Sequence, residues 1–197
     1  MSVPDPTSGP KSWPTMLTWN GHTATQLESA RVNLAGNRIR AYGRIISAAT
    51  ADHEAFSASY DLVTDEEGGA QRLSVSVLRA GGDRQVSVTR DTEGNWLVHT
   101  LGSVVKSGFN GALDVDMERS SFFNTLLLRR LGLHLQARDI DVPVMYLRLP
   151  ELEVSEVTLQ YRADPVGIRV VSPVSESVIT IDSDGFILDY PGLARRV

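Results

Sequence analysis

Over most of this chain apolar and polar residues change places at every second position, and that period commits it to β-sheet. Leu73, Val75 and Val77 alternate with Ser74 and Ser76, and Val86 and Val88 with Ser87 and Thr89. Val157, Leu159 and Tyr161 do the same against Thr158 and Gln160. Such a pattern buries one face of a strand and wets the other. Turn signals separate the runs: LAGN (34–37), DEEGG (65–69), AGGD (80–83), DTEGN (91–95) and DSDGF (182–186). Glycine supplies the positive φ that tight hairpins need. There is no βαβ rhythm, so the expected class is all-β: a curved antiparallel sheet, sandwich or barrel.

RDTEGNWLVH (90–99) and IDSDGFILDY (181–190) echo each other, and a tyrosine-bearing strand precedes each. The echo predicts two similar halves, about 16–105 and 106–197, sharing one sheet, with residues 1–15 as a disordered arm. One segment breaks the alternation: DVDMERSSFFNTLLLRRLGL (114–133). Phe123, Leu127 and Leu131 fall at helical spacing, Ser120 and Ser121 are candidate caps, Asn124 or Thr125 could cap a shorter helix, and Gly132 is a stop. A short helix is expected over about 121–131, lying on the sheet by its Phe/Leu face.

The 197 residues carry 24 acids against 19 bases, of which only Lys11 and Lys106 are lysines. A net charge of -5 argues against the basic footprint of a nucleic-acid binder. With no cysteine, disulfides, thiolate nucleophiles and thiolate metal sites are excluded. No apolar run reaches the length of a membrane span, and the first residues lack a signal-peptide pattern, so a soluble, cytoplasmic protein is expected. No cofactor is implied, and the oligomeric state is not legible.

DVDM (114–117), NTLLLRRL (124–131) and DSDGFILDYPGLARRV (182–197) resemble signature segments of the bacterial "putative glycolipid-binding" domain family. Gly21-His22 and Tyr161 match it as well, and the resemblance spans roughly 17–197. The chain departs from the family at SSFF (120–123) and Leu127. The resemblance implies a curved antiparallel sheet of two similar halves around an apolar interior. It also implies a shape similar to carriers of lipoproteins and lipoglycans, and hence an amphipathic, glycolipid-like ligand.

Three chemistries suit the central segment. Asp114 and Asp116, two apart on a strand, share a side and could hold a hard cation. They could instead form a latch with Arg119, Arg129 and Arg130, because an arginine fork matches a carboxylate in two bonds. This is the plain reading. At the rim of an apolar cavity, the same carboxylates would accept from sugar hydroxyls and the arginines would bind phosphate or sulfate. Latch and headgroup site are compatible. No G-x-S-x-G elbow accompanies the serines. His22 is a candidate rim residue. Trp96, with Trp19, reads as core before stacking platform, and Tyr190 in DYPGLARRV as part of a clasp closing the sheet.

The leading expectation is non-catalytic binding of an amphipathic ligand in a cavity enclosed by the sheet. Its candidate contacts are Asp114, Asp116, Asn124, Arg129, Arg130, Tyr161, Trp96, His22 and Tyr190. The alternatives are an enzyme using the Asp114/Asp116/Arg129/Arg130 cluster, and a structural or partner-binding module without ligand.

Overall fold

The computed structural model describes residues 13–23 and 25–197. The alternating segments form β1 (Thr15–Gly21), β2 (Gln26–Ala35), β3 (Arg38–Ser47), β4 (Phe56–Thr64) and β5 (Ala70–Arg79). The meander continues through β6 (Arg84–Arg90), β7 (Trp96–Thr100) and β8 (Ser103–Ser107). Past a 3-10 turn come β9 (Asp114–Met117), the helix α1 (Asn124–Arg130), β10 (Ile140–Arg148) and β11 (Glu153–Asp164). The chain ends with β12 (Gly167–Val171), β13 (Glu176–Ile181), β14 (Ile187–Tyr190) and β15 (Ala194–Arg196). The fifteen strands of the described residues lie in one curved, unclosed sheet, in the order β8 to β1, then β15 down to β9. Its pairings are antiparallel except β9 with β10, which is parallel. Because β15 pairs both β14 and β1, the DYPGLARRV segment joins the two ends of the chain in mid-sheet. Most of the expected arm lies outside the described residues, but Trp13 packs on Phe186 with ring centroids 5.3 Å apart, so the packed chain starts before residue 15.

The sequence echo has a local cause. Asp91 Oδ1 accepts the amides of Glu93 (3.0 Å) and Asn95 (2.8 Å), and Asp182 Oδ1 accepts those of Asp184 and Phe186 (both 2.9 Å). Asp65 Oδ1 accepts the Gly69 amide in the same way, at 2.8 Å. In each turn a glycine takes positive φ at the fourth position (Gly68, Gly94, Gly185). The second carboxylate oxygen meets a cation from a neighbouring strand: Arg90 at 2.6 Å, Lys106 at 3.3 Å and Arg196 at 2.6 Å. One turn chemistry, used three times, therefore produces the repeated Asp-x-x-Gly.

The interior holds two apolar clusters. One gathers Trp19, Leu62, Val75, Trp96, Phe122, Phe123 and Leu126; the other gathers Leu127, Leu128, Val144, Tyr161 and Ile187. The helix is the wedge between them, with Asn124 through Leu128 all buried, instead of lying on the sheet by one face. It starts at Asn124, three residues later than expected, because Ser120 and Ser121 do not cap it. They turn to Glu28, buried on the inner face of β2. Ser120 Oγ donates to Glu28 Oε1 at 2.5 Å, the Ser121 amide to Oε2 at 2.7 Å, and the Tyr60 hydroxyl to Oε1 at 2.9 Å. The crossing segment is thus tied to a carboxylate 92 residues away in sequence. Gly132 does end the helix, at φ +67°.

Tyr60 reaches Glu28 by lying across Gly43, its cross-strand partner. A Cβ at Gly43 would stand 2.1 Å from Tyr60 Cζ, so this position must be glycine. Gly43→Ala is expected to expel the ring, break the bond to Glu28 and cost about 2–4 kcal/mol in urea unfolding. A loss under about 1 kcal/mol would mean that Tyr60 does not need this seat.

Candidate functional site

The two aspartates of β9 point to the same side but meet different fates. Asp114 faces the C-terminal end of α1, where the Arg130 guanidinium grips it: Nε lies 3.1 and 2.9 Å from the two oxygens and Nη2 bonds Oδ2. Burial raises the Asp114 carboxyl against the lowering effect of Arg130. Of the expected latch of Asp114, Asp116, Arg119, Arg129 and Arg130, only this Asp114–Arg130 pair forms. Arg129 does not join it. Its guanidinium bonds the carbonyls of Asp184 and of Gly36 (3.1 Å for the latter), pinning the helix to two hairpin turns. Arg119, at φ +68°, sits beside Glu118 at 3.6 Å.

Asp116 faces the other end of the helix and has no arginine. Its Oδ1 accepts the Met117 amide at 3.0 Å and the Asn124 side-chain amide at 3.4 Å. Among the described residues no cation comes within ion-pair distance of it. Burial raises its carboxyl from 3.8 to about 7. The Tyr161 hydroxyl donates to Asn124 Oδ1 at 2.7 Å, which fixes the amide so that its nitrogen faces Asp116.

Asp116 and Asn124 look into a groove of about 660 Å³ at the seam of the two ends of the chain. Residues 116–120, Tyr146 of β10, the turn between β12 and β13, and Tyr190–Leu193 form its walls. Tyr190 donates to or accepts from Ser175 Oγ at 3.2 Å. Tyr146 is buried to 3% exposure, and its hydroxyl, which bonds no described residue and is no buried orphan, opens on the groove. Burial, helped by the negative field of Asp116, raises that phenol. Alternation within VPVMYLRL (142–149) contained the signal for Tyr146: a tyrosine on an inward position of a strand.

Of the sequence candidates, Asp116, Asn124 and Tyr190 line this groove, and Tyr161 orients Asn124 from behind. The other five stand elsewhere. Trp96 is wholly buried, its indole N–H on the Ala112 carbonyl at 2.9 Å, so it is core and no stacking platform. His22 pairs with Asp189 at 2.7 Å in a half-exposed position; its backbone amide bonds the Leu193 carbonyl, but its side chain is not in the groove wall. Asp114, Arg129 and Arg130 are held in the contacts above. No group of three or more His, Asp or Glu side chains among the described residues could hold a metal ion. Among the described residues no helix is long and apolar enough to cross a membrane.

No curated protein matches this chain. A solved structure, a DUF1089 family protein from Pseudomonas aeruginosa, superposes with a TM-score of 0.69 at 23% identity, covering 91% of this chain and 95% of that one. That likeness is one of fold. The profile of the family described as "Putative glycolipid-binding" matches residues 16–196, nearly the whole sheet, and the chain belongs to that family.

Proposed function

We propose that the groove binds the headgroup of an amphipathic, glycolipid-like ligand, and that the chain is a binding protein, not an enzyme. The observation that carries this reading is the Asp116–Tyr146 pair. Both residues are largely buried but turn their polar ends into the groove, the carboxylate with no cation beside it and the phenol hydroxyl with no hydrogen bond to a described residue. Polar ends presented into a groove by otherwise buried side chains are placed to orient a ligand. A sugar hydroxyl satisfies both, donating to Asp116 while accepting from Tyr146.

The charges narrow the headgroup. Asp52, Asp116, Glu118 and Glu176 line the groove against Arg119. A phosphate or sulfate would meet like charge there, and Arg129 and Arg130, the forks expected to greet it, are engaged elsewhere. The headgroup is therefore uncharged or carries an amine. The apolar part of the ligand lies along Val174, Pro191 and Leu193, because Phe122, Phe123 and the helix fill the hollow of the sheet.

Asp116 carries a cost that a purely structural residue would shed. Its folded pKa of about 7 lies above its ordinary 3.8, so the charge is disfavoured in the fold above pH 7. Asp116→Asn is expected to raise stability at pH 8 by about 1–3 kcal/mol, with no such gain at pH 4. Urea unfolding at both pH values checks this, and a loss at pH 8 contradicts it. The proposal is tested by native mass spectrometry of protein from its own host, followed by lipid extraction. A co-purifying neutral or amino-sugar lipid is expected, released by Asp116→Asn. Protein that carries nothing and gains no thermal stability from such lipids overturns the reading.

A further inference from the structure

The face of the sheet turned away from the core has a separate character. Along β3, Arg38, Arg40, Tyr42, Arg44 and Ile46 all point outward, while Ile39, Ala41 and Ile45 point in. Register extends this row sideways: Arg31 stands opposite Tyr42, Asn33 opposite Arg40, and Arg72 beyond Val63 on β5. Five arginines thus share one side, against Asp61, which pairs Arg72 at 3.7 Å, and Glu66, which pairs Arg38 at 3.0 Å. No acid among the described residues pairs with Arg31, Arg40 or Arg44. A chain of net charge -5 therefore turns one positive face outward.

Next to the arginines the same face becomes apolar. Leu27 stands opposite Ile46, Ile46 opposite Ser57, and Ser57 opposite Leu78. Leu27 is 44% exposed, Ile46 53% and Leu78 49%, so all three present side chains to the outside. They line a shallow depression of about 670 Å³ with Ala48 and Ala55. Those two alanines flank the loop between β3 and β4, whose Asp52 lines the polar groove. The apolar end of the outer face and the mouth of the groove thus meet at one loop.

We propose that this outer face docks on an anionic phospholipid surface. The arginines meet lipid phosphates and Leu27, Ile46 and Leu78 enter the headgroup boundary. Charge complementarity chooses the occupant. Forked cations backed by exposed aliphatics suit a surface that is anionic above and hydrocarbon beneath, whereas an acidic peptide would leave the apolar row uncovered. Docked in this way, the protein holds its polar groove at the membrane edge, within reach of a lipid-borne headgroup. The docking itself requires no glycolipid.

Co-sedimentation tests it with vesicles of phosphatidylcholine alone and of phosphatidylcholine with roughly one-third phosphatidylglycerol, neither containing glycolipid. The protein is expected on the anionic vesicles and not on the neutral ones, and to leave them as salt shortens the Debye length from about 10 Å to about 3 Å. Arg40→Ala and Arg44→Ala should each weaken partitioning about fivefold, and the double variant about 25-fold. Ile46→Ser should weaken it with no change in salt dependence. All three positions are exposed, so the variants keep the fold, which circular dichroism verifies. Absence from anionic vesicles overturns the proposal, as does equal binding by the Arg40→Ala/Arg44→Ala variant. Binding of polyglutamate by a protein that ignores vesicles overturns it in favour of an acidic protein partner.

Discussion

Replacing Glu28 by alanine is expected to lower folding stability by at least about 4 kcal/mol, since three buried donors lose their acceptor at once. Tyr60, Ser120 and the Ser121 amide converge on this carboxylate and hold the crossing segment against the N-terminal meander. The effect depends on pH in a defined direction. Burial, opposed by those three bonds, raises Glu28 from 4.5 to about 7. A carboxyl raised in the fold contributes stability that is fully present below pH 4.5 and is lost as pH climbs to about 7. Asp116, raised from 3.8 to about 7, adds to the same slope. Each group contributes about 1.4 kcal/mol per pH unit inside its window. Wild-type stability should therefore fall from pH 5 to pH 7, and Glu28→Gln should remove one proton's share of that slope. An unchanged slope in Glu28→Gln would show that Glu28 does not titrate in the fold.

Arg130→Ala should cost about 3–5 kcal/mol, because it leaves Asp114 charged, buried and unpaired. Asp114→Asn in the Arg130→Ala background should recover a large part of that loss. A double-mutant cycle sharpens the assignment. Asp114 and Arg130 should couple by more than about 1 kcal/mol, and Asp116 and Arg130 by less than about 0.5 kcal/mol. Strong coupling to Asp116 would contradict the division of labour between the two aspartates.

Strand periodicity was readable because half-buried strands write it directly into sequence. The hairpins were readable because Asp-x-x-Gly turns carry their own hydrogen bonds. Helix α1 was readable in its leucines and its Gly132 stop, but its start was not. The competitor of Ser120 and Ser121 for capping is Glu28, a partner that only the folded chain brings near. Glu28 itself left a faint trace, as an acid on the inward positions of QLESARV (26–32), in register with Ala30 and Val32. The division of Asp114 from Asp116 was hidden for a similar reason. Two residues on one strand look equivalent until the helix places Arg130 at one and Asn124 at the other. The groove draws on segments spread from residue 52 to residue 193, so no local pattern could outline it.

The functional account rests on Asp116 and Tyr146 being held ready for a hydroxyl-rich headgroup. Its most direct test is thermal unfolding of wild type, Asp116→Asn and Tyr146→Phe with an uncharged monohexosyl diacylglycerol, against the same lipid bearing a phosphate. The account predicts that the neutral lipid stabilises wild type, by about 2.7 kcal/mol at a hundred times its dissociation constant. It predicts a much smaller shift in both variants, and with the phosphorylated lipid no shift that depends on Asp116 or Tyr146. Equal stabilisation of all three proteins by the neutral lipid would contradict it.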